Sequence, residues 1–177
     1  MKLSYCYYSI NMVLTTHAIV GASVANLMPG HPILGFVAGF TSHFLLDAIP
    51  HWDYQLNSEK IDPKNPLNKD LIIGKSFYFD LVKIGTDALL GISVSLLLFS
   101  FTGFHLTNAP LWGALGGIAP DALQFVYFKW RHEPFKTIQI FHNWIQRDKH
   151  LQNKTFVGIT AQLTIIIACA AASIWAL

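Results

Sequence analysis

The chain has 177 residues, of which 53% are hydrophobic and 12% charged, about half the charged share of an ordinary soluble domain. With a mean hydropathy of +0.40 and long apolar runs broken by Gly rather than by Lys and Glu, that balance excludes disorder and points to an integral membrane protein. A net charge of +2 is too small for a nucleic-acid footprint, and two cysteines, Cys6 and Cys169, supply neither a disulfide framework nor a thiolate metal knuckle, so any metal must rest on carboxylates and the eight histidines.

The opening stretch is polar and aromatic, does not read as a cleavable signal peptide, and offers Met12 as an alternative start. Five spans are expected, over about residues 13–28, 32–50, 80–101, 109–128 and 155–177, forming a single all-α, membrane-embedded bundle over the whole chain. Between the first two spans, Met28-Pro29-Gly30-His31-Pro32 is made of helix-ending residues and predicts a tight antiparallel hairpin. The linker 51–79 carries Lys60, Lys64, Lys69 and Lys75. The linker 129–154 carries Lys129, Arg131, Lys136, Arg147, Lys149 and Lys154, whereas 29–31 and 102–108 carry no Lys or Arg. With Lys2 on the basic side, the N-terminus and both long linkers are expected in the cytoplasm and the C-terminus outside, as in a multi-pass protein of the inner membrane. Trp52, Tyr54, Tyr78, Tyr127, Trp130 and Trp144 then fall at the cytoplasmic interface. Before the last span, Phe135, Ile138 and Ile145 share a helical face, with His142 beside them and Lys136, Gln139, Asn143 and Arg147 pointing elsewhere. That pattern predicts a short interfacial helix.

Ionisable groups in a span are expensive and face the bundle interior, so each is a candidate for function. His17 lies near the cytoplasmic start of the first span, His43 and Asp47 near that end of the second, Asp87 two turns into the third and Asp121 two turns from the end of the fourth. At 1.5 Å per residue all sit within roughly 6–10 Å of the cytoplasmic boundary, and antiparallel helices bring them to one level. Gly35, Gly39, His43 and Asp47 advance by fours, placing close helix contact and two potential ligands on one face. A His–Asp hydrogen bond is the alternative for that pair, and Lys83 is an alternative ion-pair partner for Asp87. Pro120 frees a backbone carbonyl one turn earlier, near Gly116 and Gly117, beside Asp121. His142 reaches the same level from the interfacial helix. His51 and Asp53 are open between ligand, supporting and interfacial roles. His31 and His105 belong to the far side, His150 to a solvated basic run, and His132 is undecided.

Neutral imidazoles and carboxylates in a partly dry pocket suit Zn²⁺ or Mn²⁺, which lowers the pKa of bound water and makes hydrolysis accessible. His17, His43, Asp47, Asp87, Asp121 and His142 are the candidate ligands, with Asp47 and Asp121 also the candidate catalytic carboxylates. The chain resembles the predicted membrane-bound metal-dependent hydrolases of bacteria in Thr16-His17 followed by Gly21, in SHFLLDAIPHWD over Ser42–Asp53, and in Gly117-Ile118-Ala119-Pro120-Asp121. Its HxxxD element with a later His is also similar to part of the zinc-dependent phospholipase C pattern. The resemblance implies a membrane-bound hydrolase using His17, His43, Asp47 and Asp121; a pocket at the lipid boundary adds an amphiphilic phosphoester as the expected substrate. Two other classes compete. A proton or divalent-cation transporter would use the same residue types but needs a path through the outer half, which is rich in Gly, Ala and Leu. A scaffold would use the polar cluster only to fix helix packing.

Overall fold

The computed structural model describes residues 13–62, 64–100, 109–146, 151 and 154–176, so Lys2, Cys6, His105, Arg147, Lys149 and His150 lie outside the described residues. The described chain is all-helical apart from one small hairpin. In order it runs α1 (Leu14–Asn26), α2 (Pro32–Asp47), β1 (Glu59–Lys60), β2 (Asp70–Leu71), α3 (Lys75–Ser100), α4 (Ala109–Lys129), α5 (Phe135–Ile145) and α6 (Thr155–Trp175).

The centre of the fold is a three-helix unit of α1, α2 and α4, with α3 and α6 packed on α1 from outside. Every residue of α1 except Thr15 and Val24 is buried. The expected hairpin turn between α1 and α2 is present. Gly30 adopts a φ of 82° there, a conformation that costs an L side chain but not glycine, and Pro32 opens α2 with its φ already helical.

Small residues set the helix spacing. A Cβ on Gly39 or Gly21 would run into the carbonyl of Gly113, one on Gly116 into that of Phe36, and one on Gly117 into that of His17. The three helices therefore meet backbone to backbone, the close approach that a stripe of small residues permits. The Gly39 contact lies one turn from His43 and two from Asp47, as the Gly35–Gly39–His43–Asp47 spacing predicts.

The span count is corrected. Among the described residues only α3 and α6, at 26 and 21 residues, are long and apolar enough to cross a membrane by length and composition. At 13 and 16 residues, α1 and α2 reach about 20 and 24 Å, short of a hydrocarbon core of about 30 Å. α4 has 21 residues but carries Asp121, Gln124 and Lys129 in its second half.

The stretch expected as a linker over 51–79 holds the small hairpin, and α3 begins within it at Lys75. Its hairpin pairs Glu59 with Leu71 and Lys60 with Asp70, antiparallel. It sits on the final turns of α4, where Leu56 and Leu71 join Tyr127 and Phe128 in a buried apolar cluster. Tyr127 is thus a core residue and donates its hydroxyl to the Leu67 carbonyl at 3.1 Å, rather than lying at an interface.

α5 also turns differently from expectation. Its buried residues are Gln139 and His142, while Ile140, Phe141 and Trp144 face outward. The polar edge of this helix looks in because it meets polar groups of α2 and α4, which an apolar edge could not satisfy.

Candidate metal centre

Five side chains from four helices converge where α1, α2, α4 and α5 meet. His17 comes from α1, His43 and Asp47 from α2, Asp121 from α4 and His142 from α5. His17, His43, Asp47 and His142 are completely enclosed, and Asp121 keeps 11% of its side chain exposed. The His43 Nε2 atom lies 3.2 Å from Asp47 Oδ2, 3.3 Å from His142 Nε2 and 3.8 Å from Asp121 Oδ1. The His142 Nε2 atom is 2.6 Å from Asp47 Oδ2 and 3.9 Å from Asp121 Oδ1. On the opposite side of the Asp47 carboxylate, His17 Nε2 is 3.4 Å from Oδ1, and the His17 ring stacks on His43 with centroids 3.9 Å apart.

The donor atoms fall into two overlapping triads that could each hold a metal ion, His17 with His43 and Asp47, and His43 with Asp121 and His142, the atoms of each lying within 4.8 Å of one another. Donors 2.0–2.1 Å from a tetrahedral ion stand about 3.3 Å apart, close to the 3.2–3.9 Å that separate most of these pairs. Both ring nitrogens of His17, Asp47 Oδ1 and Asp121 Oδ2 are buried and have no hydrogen-bond partner among the described residues. Such atoms cost free energy unless something else engages them. The exception in spacing is the 2.6 Å contact between His142 and Asp47, a direct hydrogen bond that a cation between the two would replace.

Supporting groups fix the ring orientations. His43 Nδ1 donates to the Gly117 carbonyl at 2.7 Å. The proton is thereby held on Nδ1, and the Nε2 lone pair faces the cluster. That acceptor belongs to the stretch of α4 just before Pro120, as the sequence predicts. The Gln124 amide donates to Asp121 Oδ1 at 3.2 Å and lies 2.8 Å from His142 Nδ1. As oriented, it leaves the His142 proton on Nε2, pointed at Asp47. Turning the amide over would move that proton to Nδ1 and free Nε2 as a ligand. Gln146 donates to Asp47 Oδ2 at 2.9 Å.

Asp87, expected as a ligand, does other work. It caps the start of α1, accepting from Leu14 N at 2.6 Å, Thr15 N at 3.2 Å and Thr15 Oγ1 at 2.6 Å. The Tyr54 hydroxyl, whose pKa is raised by burial and by the charge of Asp87, also donates to it at 3.2 Å. A carboxylate at a helix N-terminus satisfies orphaned N–H groups and favours the macrodipole. The alternative of a Lys83 pair is not realised, since Lys83 donates to the Gln55 carbonyl at 2.9 Å and lies over the Tyr54 ring.

No family model, curated protein or solved structure matches this chain.

His51 and Asp53 form a separate buried pair, 3.2 Å apart, just past α2. Burial disfavours the imidazolium, but the hydrogen bond and charge of Asp53 outweigh it and raise the His51 pKa. Sequence reasoning missed Gln124, Gln139 and Gln146. Their signal was nevertheless present: Gln124 follows Asp121 by three residues, and Gln139 and Gln146 flank His142 by three and four, spacings that share a helix face.

Proposed function

We propose that this protein is a membrane-bound, metal-dependent hydrolase acting on a phosphoester in a lipid-like substrate, with its cation held by His17, His43, Asp47, Asp121 and His142 near the cytoplasmic face. The observation that carries the reading is the convergence of five His and Asp side chains, several with unengaged buried donor atoms, inside an otherwise apolar helical protein. Such groups are costly to bury and are retained where they bind or react.

When bound, a Zn²⁺ or Mn²⁺ supplies Lewis acidity toward water and phosphoryl oxygen. The chain's own residues do the remaining work. His43, with its tautomer set by Gly117, presents Nε2 inward. Asp47 is braced by Gln146 and offers Oδ1 on the His17 side. Asp121 is the one cluster member open to solvent, and its Oδ2 is uncommitted. It is therefore placed to accept a proton from attacking water.

Membrane residence is supported by the outward faces. Val82, Leu89 and Leu97 of α3, Ile33 of α2, and Phe156 and Ile167 of α6 are each more than 60% exposed, a surface that lipid can cover but water does not favour. In this reading α1 is the enclosed centre of a five-helix bundle, and α2 and α4 occupy the membrane beside it with part of their surface turned outward. The basic linkers lie in the cytoplasm and the substrate enters laterally from the inner leaflet. A second reading, a polar cluster that only fixes packing, is favoured by the short His142–Asp47 bond.

Elemental analysis of detergent-purified protein separates them. Near-stoichiometric Zn or Mn is expected in wild type and in His31→Ala, and its loss in His43→Ala and Asp47→Ala. Asp121→Asn should then abolish phosphoester turnover while leaving membrane insertion intact. Folded wild type that takes up no metal after reconstitution sinks the hydrolase reading and leaves the packing cluster.

A further inference from the structure

One amide holds two of the candidate ligands at once. Gln124 follows Asp121 by a turn of α4 and is buried. Its Nε2 atom is 3.2 Å from Asp121 Oδ1 and 2.8 Å from His142 Nδ1, nearer that ring nitrogen than His142 Nε2 at 3.3 Å. Asp121 and His142 are two of the three members of the triad that His43 completes.

The neighbours of the amide dictate which way it faces. A carboxylate accepts and cannot donate, so Asp121 requires the NH₂ edge of Gln124. The same edge then meets His142 Nδ1 as a bare acceptor. The imidazole proton therefore sits on Nε2, which donates to Asp47 Oδ2 at 2.6 Å. A one-way chain of hydrogen bonds runs from Gln124 through His142 to Asp47. In this state Asp121 Oδ1 is engaged, and His142 Nε2 has no lone pair to offer.

Rotating the amide by half a turn reverses both conditions. Gln124 Oε1 then accepts from His142 Nδ1–H, the ring nitrogen Nε2 becomes bare, and the NH₂ group leaves Asp121. The imidazole neither gains nor loses a proton overall; the proton changes nitrogen. While the centre is empty this arrangement is disfavoured. The amide oxygen would stand where the nitrogen now lies, 3.2 Å from an anionic oxygen, and Asp47 would lose the His142 donor. Positive charge against Asp47 and Asp121 offsets both penalties, so the facing of the amide depends on whether a cation is present.

We propose that Gln124 is a two-state positioning residue, which withholds Asp121 and His142 together while the centre is empty and presents both to a divalent cation by one rotation of its amide. This rests on the metal-binding part of the proposed function and not on hydrolysis.

Zinc titration by calorimetry, joined to ¹⁵N spectra of histidine-labelled, detergent-purified full-length protein, tests the latch. The His142 signals are assigned by their loss in His142→Ala. His142 should carry its proton on Nε2 in metal-free wild type and on Nδ1 after zinc loading, a shift read on wild type and independent of how any variant folds. Gln124→Met fills similar space but neither donates nor accepts. It should weaken zinc binding by about ten- to a hundredfold, the usual cost of losing a group that orients a metal-bound histidine. Gln124→Glu restores an acceptor for Nδ1–H and should recover the wild-type affinity or exceed it. In a His142→Ala background, Gln124→Met should no longer weaken binding, because only the hold on Asp121 is left to remove. A purely structural tie between α4 and α5 lowers the melting temperature of the metal-free protein but predicts neither the rescue nor the loss of additivity. The latch is overturned if zinc leaves the His142 proton on Nε2, if Gln124→Met binds zinc as wild type does, or if its effect persists undiminished without His142. Those outcomes in protein that loads zinc leave the metal centre standing, whereas folded wild type that takes up no zinc removes centre and latch together.

Discussion

Asp87 shows how a single carboxylate can be legible as important and illegible in role. Its depth in the third apolar run marks it as a costly residue, and the same reasoning located His17, His43, Asp47 and Asp121, which do come together. What depth along a helix lacks is rotation. Asp87 faces the start of α1, where orphaned N–H groups await an acceptor. Asp87→Ala should therefore destabilise the fold by about 1–2 kcal/mol, the upper range for a lost cap, in thermal unfolding while the metal content stays at the wild-type level. Loss of metal with unchanged stability would return Asp87 to the ligand set. The His51–Asp53 pair gives a pH signature at the same scale. The His51 pKa is raised in the folded state, so its contribution is fully present below the unfolded value of about 6.5 and is lost as pH rises through the higher folded value. Thermal unfolding of wild type should weaken across that window, and Asp53→Asn should flatten the dependence. An identical pH profile in the variant would dissociate His51 from stability.

At the level of elements, α3 and α6 are readable as long apolar runs and α1 and α2 as shorter ones, with the turn between them marked by Gly30 and the prolines on either side. The inward edge of α5 was not. Phe135, Ile138 and Ile145 suggest an apolar contact face, but Gln139, His142 and Gln146 form an equally regular polar edge, and only the polar groups across from it decide which one turns in. The hairpin was hidden for another reason: strands of two residues are too short to show alternation. Helix spacing makes its own prediction. Gly117 touches the backbone carbonyl of His17 while its own carbonyl receives the His43 proton. Gly117→Ala should wedge α4 away from α1, costing about 1–3 kcal/mol as overpacking does, and should lower metal occupancy along with the melting temperature. An alanine variant with full occupancy would show that the centre tolerates a looser bundle.

For the whole molecule, composition revealed an apolar protein but overcounted helices that can cross a bilayer unaided. The number fell because apolar content is shared between two tasks: α3 and α6 turn it outward, and α1 encloses it. If the five-helix bundle is inserted as proposed, single cysteines introduced at Gly30 and at Lys64 should react with a membrane-impermeant maleimide from opposite sides of sealed vesicles. Labelling of both from the same side would overturn the orientation and the inner-leaflet entry of substrate together.

The bond between His142 and Asp47 joins residues 95 apart in the chain, and that separation bears on biogenesis. At the usual pace of about 5–20 residues per second, the partner of Asp47 is synthesised roughly 5–20 s after the carboxylate itself. During that interval α2 must be accommodated with its acid uncovered, either hydrated at the translocation machinery or carrying a proton. The last helix edge to leave the ribosome before α6 is the one that closes the pocket, so on the proposed metal-binding reading the cation is captured at the end of assembly, after the early helices have docked.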